Sequence, residues 1–191
     1  MTNVSIIGTG AMGTAIATLI EKGGNGVQVL GSNDTDKTVT GEVVVLAVPY
    51  PAVPQVLAQR AAELDGKVVV DITNPLDFET FDSLTVPTDS SAAAEIAAAL
   101  PGARVVKAFN TNFAATLAAG TVGDLQTTVL IAGDDAAAKS LLADIVTAAG
   151  LRTIDAGSLR RARELESIGF LQITLAAGEK VAWTGGFAVQ V

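Results

Sequence analysis

The stretch that decides the fold is Val4-Ser5-Ile6-Ile7-Gly8-Thr9-Gly10-Ala11-Met12-Gly13, an apolar strand that runs into a glycine turn. Its three glycines have the spacing G-x-G-x-x-G. The first permits a tight turn, the second lets the backbone approach a pyrophosphate, and the third allows a helix to pack closely on the sheet. An amphipathic helix is predicted directly behind the turn, over Ala11–Lys22, and another strand follows at 27–30. The stretch therefore predicts a dinucleotide-binding site.

The rest of the chain alternates strands with helices. Strands are expected at 4–7, 27–30, 42–48, 67–71, 103–108, 127–132 and 151–154. Helices are expected at 11–22, 52–64, 91–100, 135–149 and 158–177. This alternation predicts an α/β fold, a single Rossmann-like, doubly wound parallel sheet with right-handed crossovers and a C-terminal helix. The polar segment Gly31–Gly41 is too irregular for a helix, so the first half of the fold is expected to be trimmed.

Length and composition restrict the class of protein. The chain has 191 residues, of which 49% are hydrophobic, and a net charge of −8. We expect one domain, with a Rossmann core over about 1–155 and a C-terminal helix and tail over about 156–191. The negative charge argues against nucleic acid and anionic membranes as partners. A chain with no cysteine, no basic leader and no long apolar run is expected to work in the cytoplasm and not in a membrane.

The sequence contains no histidine. This removes the usual acid or base of hydroxy-acid dehydrogenases and the commonest metal ligand. We therefore predict no metal site, and a reaction that needs little proton transfer by side chains near neutral pH. No catalytic side chain is assigned.

Ligands of open α/β sheets bind beyond the carboxyl ends of the strands. The predicted cofactor-binding residues lie at those ends, and they are Gly8, Thr9, Gly10, Ala11, Met12, Gly13, Ser32, Asn33, Lys37, Ala47, Val48, Pro49, Asn74 and Pro75. NAD enzymes usually have a carboxylate after the second strand, but here Gly31-Ser32-Asn33 precedes the first one, Asp34. Donors and a cation beside a dianionic 2′-phosphate favour NADP(H).

Several of these motifs resemble a known family. Gly8–Gly13, Ser32 followed by Lys37, and Val48-Pro49-Tyr50 are similar to the deazaflavin-dependent NADP reductases (NADPH:coenzyme F420 oxidoreductase-like). Two later stretches, Val106–Thr111 and Ala162–Glu166, resemble the cytoplasmic NADPH-oxidising domain of the six-transmembrane metalloreductases. The resemblance implies hydride transfer between NADPH and a flavin or 5-deazaflavin.

The same resemblance implies that Thr9, Ser32 and Lys37 hold the 2′-phosphate. The chain has Asn33 where these reductases commonly have arginine, so the choice between NADP and NAD stays open. The short Gly31–Gly41 segment also removes part of the usual adenine-side wall. Because two cofactors exchange the hydride, the protein has to supply orientation and electrostatics and needs no side-chain base.

The acceptor pocket is expected at the ends of two later strands. Its predicted residues are Asn74, Pro75, Phe109, Asn110 and Thr111, with Ser90 and Ser91 at a helix start that would take a phosphate. Plain N-capping is the alternative for the two serines. The tail Trp183–Phe187 is either core packing or a pocket wall.

The final helix has an expected apolar stripe of Leu159, Ala162, Leu165, Ile168, Leu171 and Leu175. Arg160, Arg161 and Arg163 are expected to form an exposed, salt-bridged face with Glu164 and Glu166. Gly169 would allow this helix to approach a partner chain closely, and we expect a homodimer.

Two other functions remain open at this stage. One is an NADP-dependent reductase of a small imine or hydroxy acid, similar to pyrroline-5-carboxylate reductase. Those enzymes use a long helical C-terminal domain, whereas this sequence has one short helix and a tail. The other is an NADP(H)-binding sensor or interaction protein without turnover.

Overall fold

A computed structural model describes residues 1–190 of the chain. The strands are β1 (Asn3–Ile7), β2 (Gly26–Leu30), β3 (Val43–Leu46), β4 (Val68–Asp71), β5 (Arg104–Lys107), β6 (Thr121–Val122), β7 (Leu125–Gln126), β8 (Thr128–Gly133) and β9 (Arg152–Gly157). The helices are α1 (Ala11–Lys22), α2 (Val53–Leu64), α3 (Ala92–Ala99), α4 (Ala114–Ala119), α5 (Ala136–Ala148) and α6 (Ala162–Ala177). Short 3-10 turns precede α2 and α6.

Within this range the central sheet has seven strands in the order β2-β1-β3-β4-β5-β8-β9. The first five of these are parallel. All residues of β3 and β4 are buried, as expected for central strands that helices cover on both faces. The Rossmann-like fold predicted from the glycine turn is confirmed.

The trimmed first half is also confirmed. Residues 31–42 contain turns but neither helix nor strand, and β2 lies at the edge of the sheet. After this segment the chain crosses past β1, and β3 pairs with β1 on the side opposite to β2. Helix α1 covers this part of the sheet with a buried face of Ala15, Ile16, Leu19 and Ile20. Burying each of the larger side chains contributes about 1.5–3 kcal/mol.

The sheet departs from the predicted parallel pairing toward one edge. Strand β8 is antiparallel to β5 and shares with it the pairs Val106–Gly133 and Lys107–Ala132, and β9 is parallel to β8. The connection between β5 and β8 contains the six-residue helix α4 and the β6–β7 hairpin, neither of which was predicted. A helix of that length spans about 9 Å, too short to carry the chain back across the sheet. The chain therefore re-enters the sheet at the same end at which it left β5, so β8 runs antiparallel to β5.

The orientation of α6 also differs from the prediction. Of the expected apolar stripe, Ile168 is 37% exposed and Leu171 is 50% exposed. The buried face instead includes Glu166, Gly169 and Gln172. Glu166, expected on an exposed face, is fully buried. Buried polar contacts therefore determine which face of this helix is turned inward. The spacing of hydrophobic residues in the sequence does not predict such contacts.

The main partner is Lys107, a fully buried lysine at the end of β5. Its Nζ atom donates to Asp71 Oδ2 at 2.8 Å, to Glu166 Oε1 at 2.7 Å and to the carbonyl oxygen of Thr73 at 2.6 Å. The cluster joins β4, β5 and α6 through one ammonium group. Its two carboxylates and one ammonium bury a net negative charge.

Backbone amides offset part of that charge. The carboxylate of Glu166 accepts from the amides of Ala92, at 2.9 Å, and Ala93, at 3.3 Å, in the first turn of α3. A helix N-terminus stabilises an anion through such amides and through its dipole. Burial nevertheless raises the pKa of Glu166, against the opposing effect of Lys107.

Replacing Lys107 by methionine should expose the strength of this cluster. At about pH 8 we expect the free energy of unfolding to fall by about 3–5 kcal/mol, because two buried carboxylates lose their cation. The loss of stability should be smaller at about pH 5. Because the pKa of Glu166 is raised in the folded state, this carboxyl is more readily protonated at low pH, and the neutral form needs no cation; as the pH rises it loses that proton. Urea unfolding at both pH values measures this. The exposed Lys180→Met is the control, and equal losses at both pH values would contradict the expectation.

Candidate dinucleotide and acceptor site

The glycine turn between β1 and α1 packs closely against the end of β3. Gly8 has φ +128°, and a Cβ there would overlap the carbonyl oxygen of Ala47. A Cβ on Gly13 would overlap the carbonyl oxygen of Gly8. Gly10 is different, because apart from its two chain neighbours no residue among 1–190 has an atom within 4 Å of a Cβ built on it. Two of the glycines thus serve packing, and the third faces open space that a pyrophosphate can enter.

The N-terminus of α1 has unsatisfied donors. Its N-cap is Gly10, no side chain of the described residues caps it, and its first turn has no acidic residue. By contrast, Ser91 and Glu166 satisfy the start of α3, and Asp135 caps α5. The first amides of a helix need a partner from outside the helix. At α1 no side chain of residues 1–190 supplies that partner.

The predicted 2′-phosphate residues lie together beyond β2. Ser32, Asn33 and Thr9 are exposed, and a Cβ on Gly31 would lie 3.4 Å from Thr9 Cγ2. Lys37 lies in the same segment, and its Nζ is 2.8 Å from Asp34 Oδ1. The structure therefore brings Thr9, Ser32 and Lys37 to one end of the sheet.

A residue that sequence reasoning missed fixes this segment. Arg60 of α2 is 6% exposed and donates to the carbonyl oxygens of Asp34, at 2.5 Å, and Lys37, at 2.9 Å. A pattern in the sequence marks it: Arg60 occupies a position of the helical stripe that also contains Val53 and Leu64, the other buried residues of α2. An arginine on an apolar face needs buried acceptors, and here the turns of residues 31–42 provide them.

Two adjoining clefts, of about 310 and 260 Å³, begin at the glycine turn. Both are lined by Ala11, Met12, Ile72, Asn74, Phe78 and Ile173. The larger one continues to Ala47, Val48 and Pro49, and the smaller one to Asn110, Phe113 and Trp183. The shared residues place the two clefts next to each other.

Two exposed aromatic side chains line the clefts. Phe78 and Trp183 are each 52% exposed, and the Trp183 ring lies 4.9 Å from that of Phe113. Of the two possibilities for the tail, Trp183 therefore lies in a pocket wall. Phe78 was not predicted as a site residue, because it lies in a loop whose position depends on distant contacts.

The predicted acceptor residues Asn74 and Asn110 form a pair beneath the clefts. Asn110 Nδ2 donates to Asn74 Oδ1 at 2.9 Å, and Asn74 Nδ2 donates to the carbonyl oxygen of Asn110 at 2.8 Å. A Cβ on Gly169 would overlap Asn74 Oδ1. The close approach that we expected to serve a partner chain thus occurs within this chain, between α6 and the floor of the site.

Phe109 and Thr111, on either side of Asn110, are buried. Phe109 lines the smaller cleft and has φ +62°, a backbone conformation that residues other than glycine rarely adopt. The carbonyl oxygen of Thr111 accepts from Gln172. Pro75 is also buried, and its carbonyl oxygen accepts from Thr85.

Ser90 and Ser91 lie apart from the clefts. Ser91 Oγ accepts from the amide of Ala94, and Glu166 occupies the start of the same helix. Ser90 lines a separate groove of about 840 Å³ beside Ile168. The expected phosphate position at this helix is thus filled by a carboxylate of the chain, and capping is the observed role of Ser91.

Charged groups elsewhere do not add a site. Among residues 1–190 no group of three acidic side chains is arranged to hold a metal ion. None of the helices in this range combines the length and apolarity needed to cross a bilayer. Near the start of α6, Arg161 and Arg163 pair with Glu164, as expected of an exposed face.

Comparison with known proteins identifies the family. Residues 26–75 match the family model described as NADP oxidoreductase, coenzyme F420-dependent. The F420-dependent NADP reductase of Methanocaldococcus jannaschii is 30% identical over 87% of this chain and 76% of its own length. The chain belongs to the F420-dependent NADP reductase family. The Methanothermobacter marburgensis member is 33% identical over 78% of this chain and 69% of its own length.

The resemblance to both groups stated above is confirmed. The metalloreductase STEAP3 of Rattus norvegicus is 32% identical over 86% of this chain, which corresponds to 36% of that larger protein. A solved structure of a candidate F420-dependent NADP reductase from Arthrobacter sp. FB24 has a TM-score of 0.86 at 25% identity, covering 100% of both chains. An imine reductase from Myxococcus stipitatus shares the fold, at 17% identity and a TM-score of 0.66 over 93% of this chain and 63% of its own.

For this member of the F420-dependent NADP reductase family, the glycine turn gives a matched pair of variants. Gly8→Ala should lower the free energy of unfolding by more than about 1 kcal/mol, because the methyl group meets the Ala47 carbonyl at a positive φ. Gly10→Ala, at φ −72° and facing open space, should leave stability unchanged. Thermal unfolding followed by circular dichroism compares the two. Equal midpoints would contradict the assigned roles.

Proposed function

We propose that the chain is an oxidoreductase that transfers a hydride between NADP(H) and the 5-deazaflavin F420. The observation that carries the proposal is the pair of adjoining clefts that share lining residues, among them Met12 and Asn74. Two planar cofactors that exchange a hydride need neighbouring clefts that hold their rings side by side, and they need little else from the protein. Membership of the reductase family supports F420 as the acceptor, and a flavin is the alternative.

The residues along the strand ends fit a bound NADP(H). The uncapped amides of α1 and the open face of Gly10 suit the pyrophosphate, and Thr9, Ser32 and Lys37 suit the 2′-phosphate. A groove of about 140 Å³ suits the adenosine half, and it is lined by Gly8, Gly31, Ser32, Val48, Gln55, Gln59 and Arg60, among others. The larger cleft, along Ala47, Val48 and Pro49, suits the nicotinamide ring.

The smaller cleft fits an aromatic acceptor. Phe78 and Trp183 offer exposed rings, and stacking on such rings stabilises planar ligands. Asn110 Oδ1 and Asn112 Oδ1, on residues of the same cleft, find no hydrogen-bond partner within residues 1–190. Buried polar atoms without partners favour a polar ligand or ordered water nearby.

The bound groups would supply the chemistry, which is hydride transfer between the nicotinamide and the deazaflavin. The residues of this chain bind the two rings, fix their separation and exclude water between them. Rigid positioning of this kind is worth several orders of magnitude in rate. The paired amides of Asn74 and Asn110, held by α6 through Gly169, suit this positioning role.

Rapid mixing of the protein with NADPH and F420, and separately with NADPH and FMN, tests the proposal. We expect reduction of F420 well above the uncatalysed rate, because the clefts bring both rings together. Binding of NADPH without reduction of either acceptor would contradict it and favour the sensor without turnover. Reduction of a cyclic imine, but of neither acceptor, would favour the imine-reductase alternative.

Trp183→Ala should weaken acceptor binding selectively, because Trp183 lines the smaller cleft but not the larger one. Loss of one stacking ring should raise the KM for F420 about tenfold, while the Kd for NADPH changes little. Phe187→Ala is the matched control, because Phe187 is 43% exposed on the tail and lines neither cleft. Steady-state kinetics and NADPH titration give both constants. Equal changes in the two constants would contradict the assignment.

The expectation of a homodimer is kept as part of the proposal. The exposed Ile168 and Leu171 on α6, beside the large groove at Ser90, offer an apolar surface that a second copy would cover. Light scattering measures the mass, and the 19.3 kDa of one chain at micromolar concentration would contradict a dimer. A cytoplasmic location stays a prediction.

A further inference from the structure

We propose that Asp34 sets the selectivity between NADPH and NADH by competing with the 2′-phosphate for Lys37. The inference rests on the proposed binding of NADP(H) beyond β2 and adds a determinant to it. Asp34 lies three residues beyond Gly31, later in the chain than the carboxylate with which NAD enzymes usually bind the ribose.

The carboxylate of Asp34 is engaged on both oxygens. Oδ2 accepts from the amide of Gly31 at 2.8 Å, and Oδ1 lies 2.8 Å from Lys37 Nζ. The hydrogen bond from Lys37 lowers the pKa of Asp34, and the Gly31 amide acts in the same direction. Asp34 is therefore charged at neutral pH, and each of its oxygens already has a partner within the segment.

The position of this carboxylate is fixed from below. The Arg60 guanidinium holds the main-chain carbonyls of both Asp34 and Lys37. Glu63 pairs with Arg60 and accepts from the amide of Val39, which anchors the far end of the same segment. With its backbone held at these points, the segment cannot easily carry Asp34 away from an arriving phosphate.

The charges near the phosphate position then decide the outcome. Ser32 and Asn33 are neutral, so Lys37 is the exposed cation of this segment, and Asp34 and Asp36 are its carboxylates. Arg60 is a cation too and lines the adjoining groove, but it is 6% exposed and its guanidinium already donates to the carbonyls of Asp34 and Lys37. A dianionic phosphate therefore meets a lysine that is already paired and a carboxylate that repels it. NADH, with a 2′-hydroxyl, meets neither penalty.

The consequence is a modest preference for NADPH, limited by the chain itself. Removing the charge of Asp34 while keeping its shape should release Lys37 and strengthen that preference. Asp34→Asn does this, because an amide oxygen can still accept from the Gly31 amide.

Fluorescence titration with NADPH and with NADH, at one fixed ionic strength, measures the effect without any acceptor. We expect Asp34→Asn to lower the Kd for NADPH about three- to tenfold and to change the Kd for NADH less than about twofold. Asp36→Asn is the matched control. It removes the same charge from a nearby side chain that forms no hydrogen bond or ion pair with Lys37 within residues 1–190. Its effect on the Kd ratio should be smaller.

Lys37 provides the second arm. Lys37→Gln should weaken NADPH binding and leave NADH binding unchanged, and in the double variant the gain from Asp34→Asn should largely disappear. An unchanged NADPH to NADH ratio in Asp34→Asn, or an equal weakening of both, would overturn the inference while leaving the proposed function standing. Failure of the unaltered protein to bind either dinucleotide would overturn both.

Discussion

The structure depends on one buried ammonium group. Lys107 joins Asp71 at the end of β4 to Glu166 on α6, and it also holds the carbonyl of Thr73. Because Thr73 precedes Asn74, the same bond fixes the strand exit that forms the floor of both clefts. Helix α6 is held at the rotation that brings Gly169 against Asn74. Core charge and site geometry are therefore one arrangement, and a change in the first is transmitted to the second.

The same chemistry is used in opposite ways at two helix starts. At α3 the amides are satisfied internally by Ser91 and Glu166, so this end contributes to stability. At α1 the corresponding amides have no such partner in the described chain, and the small residue Gly10 keeps the approach open. The sequence contains an acidic or hydroxyl cap at the first and omits it at the second. This difference separates a structural helix terminus from one that can bind a ligand.

The sequence predicted what local rules determine. The glycine turn gave the fold and the start of α1, and the irregular Gly31–Gly41 segment gave the trimmed half. The rotation of α6, the antiparallel β8, and the roles of Arg60 and Phe78 were missed. Each of these depends on a contact between residues far apart in the chain, such as Glu166 with Ala92 or Arg60 with Asp34. Periodicity records which residues are apolar, but not which buried polar groups find each other.

The trimmed segment after β2 has a consequence for the purine ring. With no helix between residues 31 and 42, the groove beside Gln55 and Gln59 has a volume of about 140 Å³, less than half that of the larger cleft. Under the proposed binding, a base in this groove would lie against α2, which supplies Gln55, Val56 and Gln59. The side left by the missing helix has no such wall, so dinucleotides whose purine is extended on that side should be accepted nearly as well as the natural one.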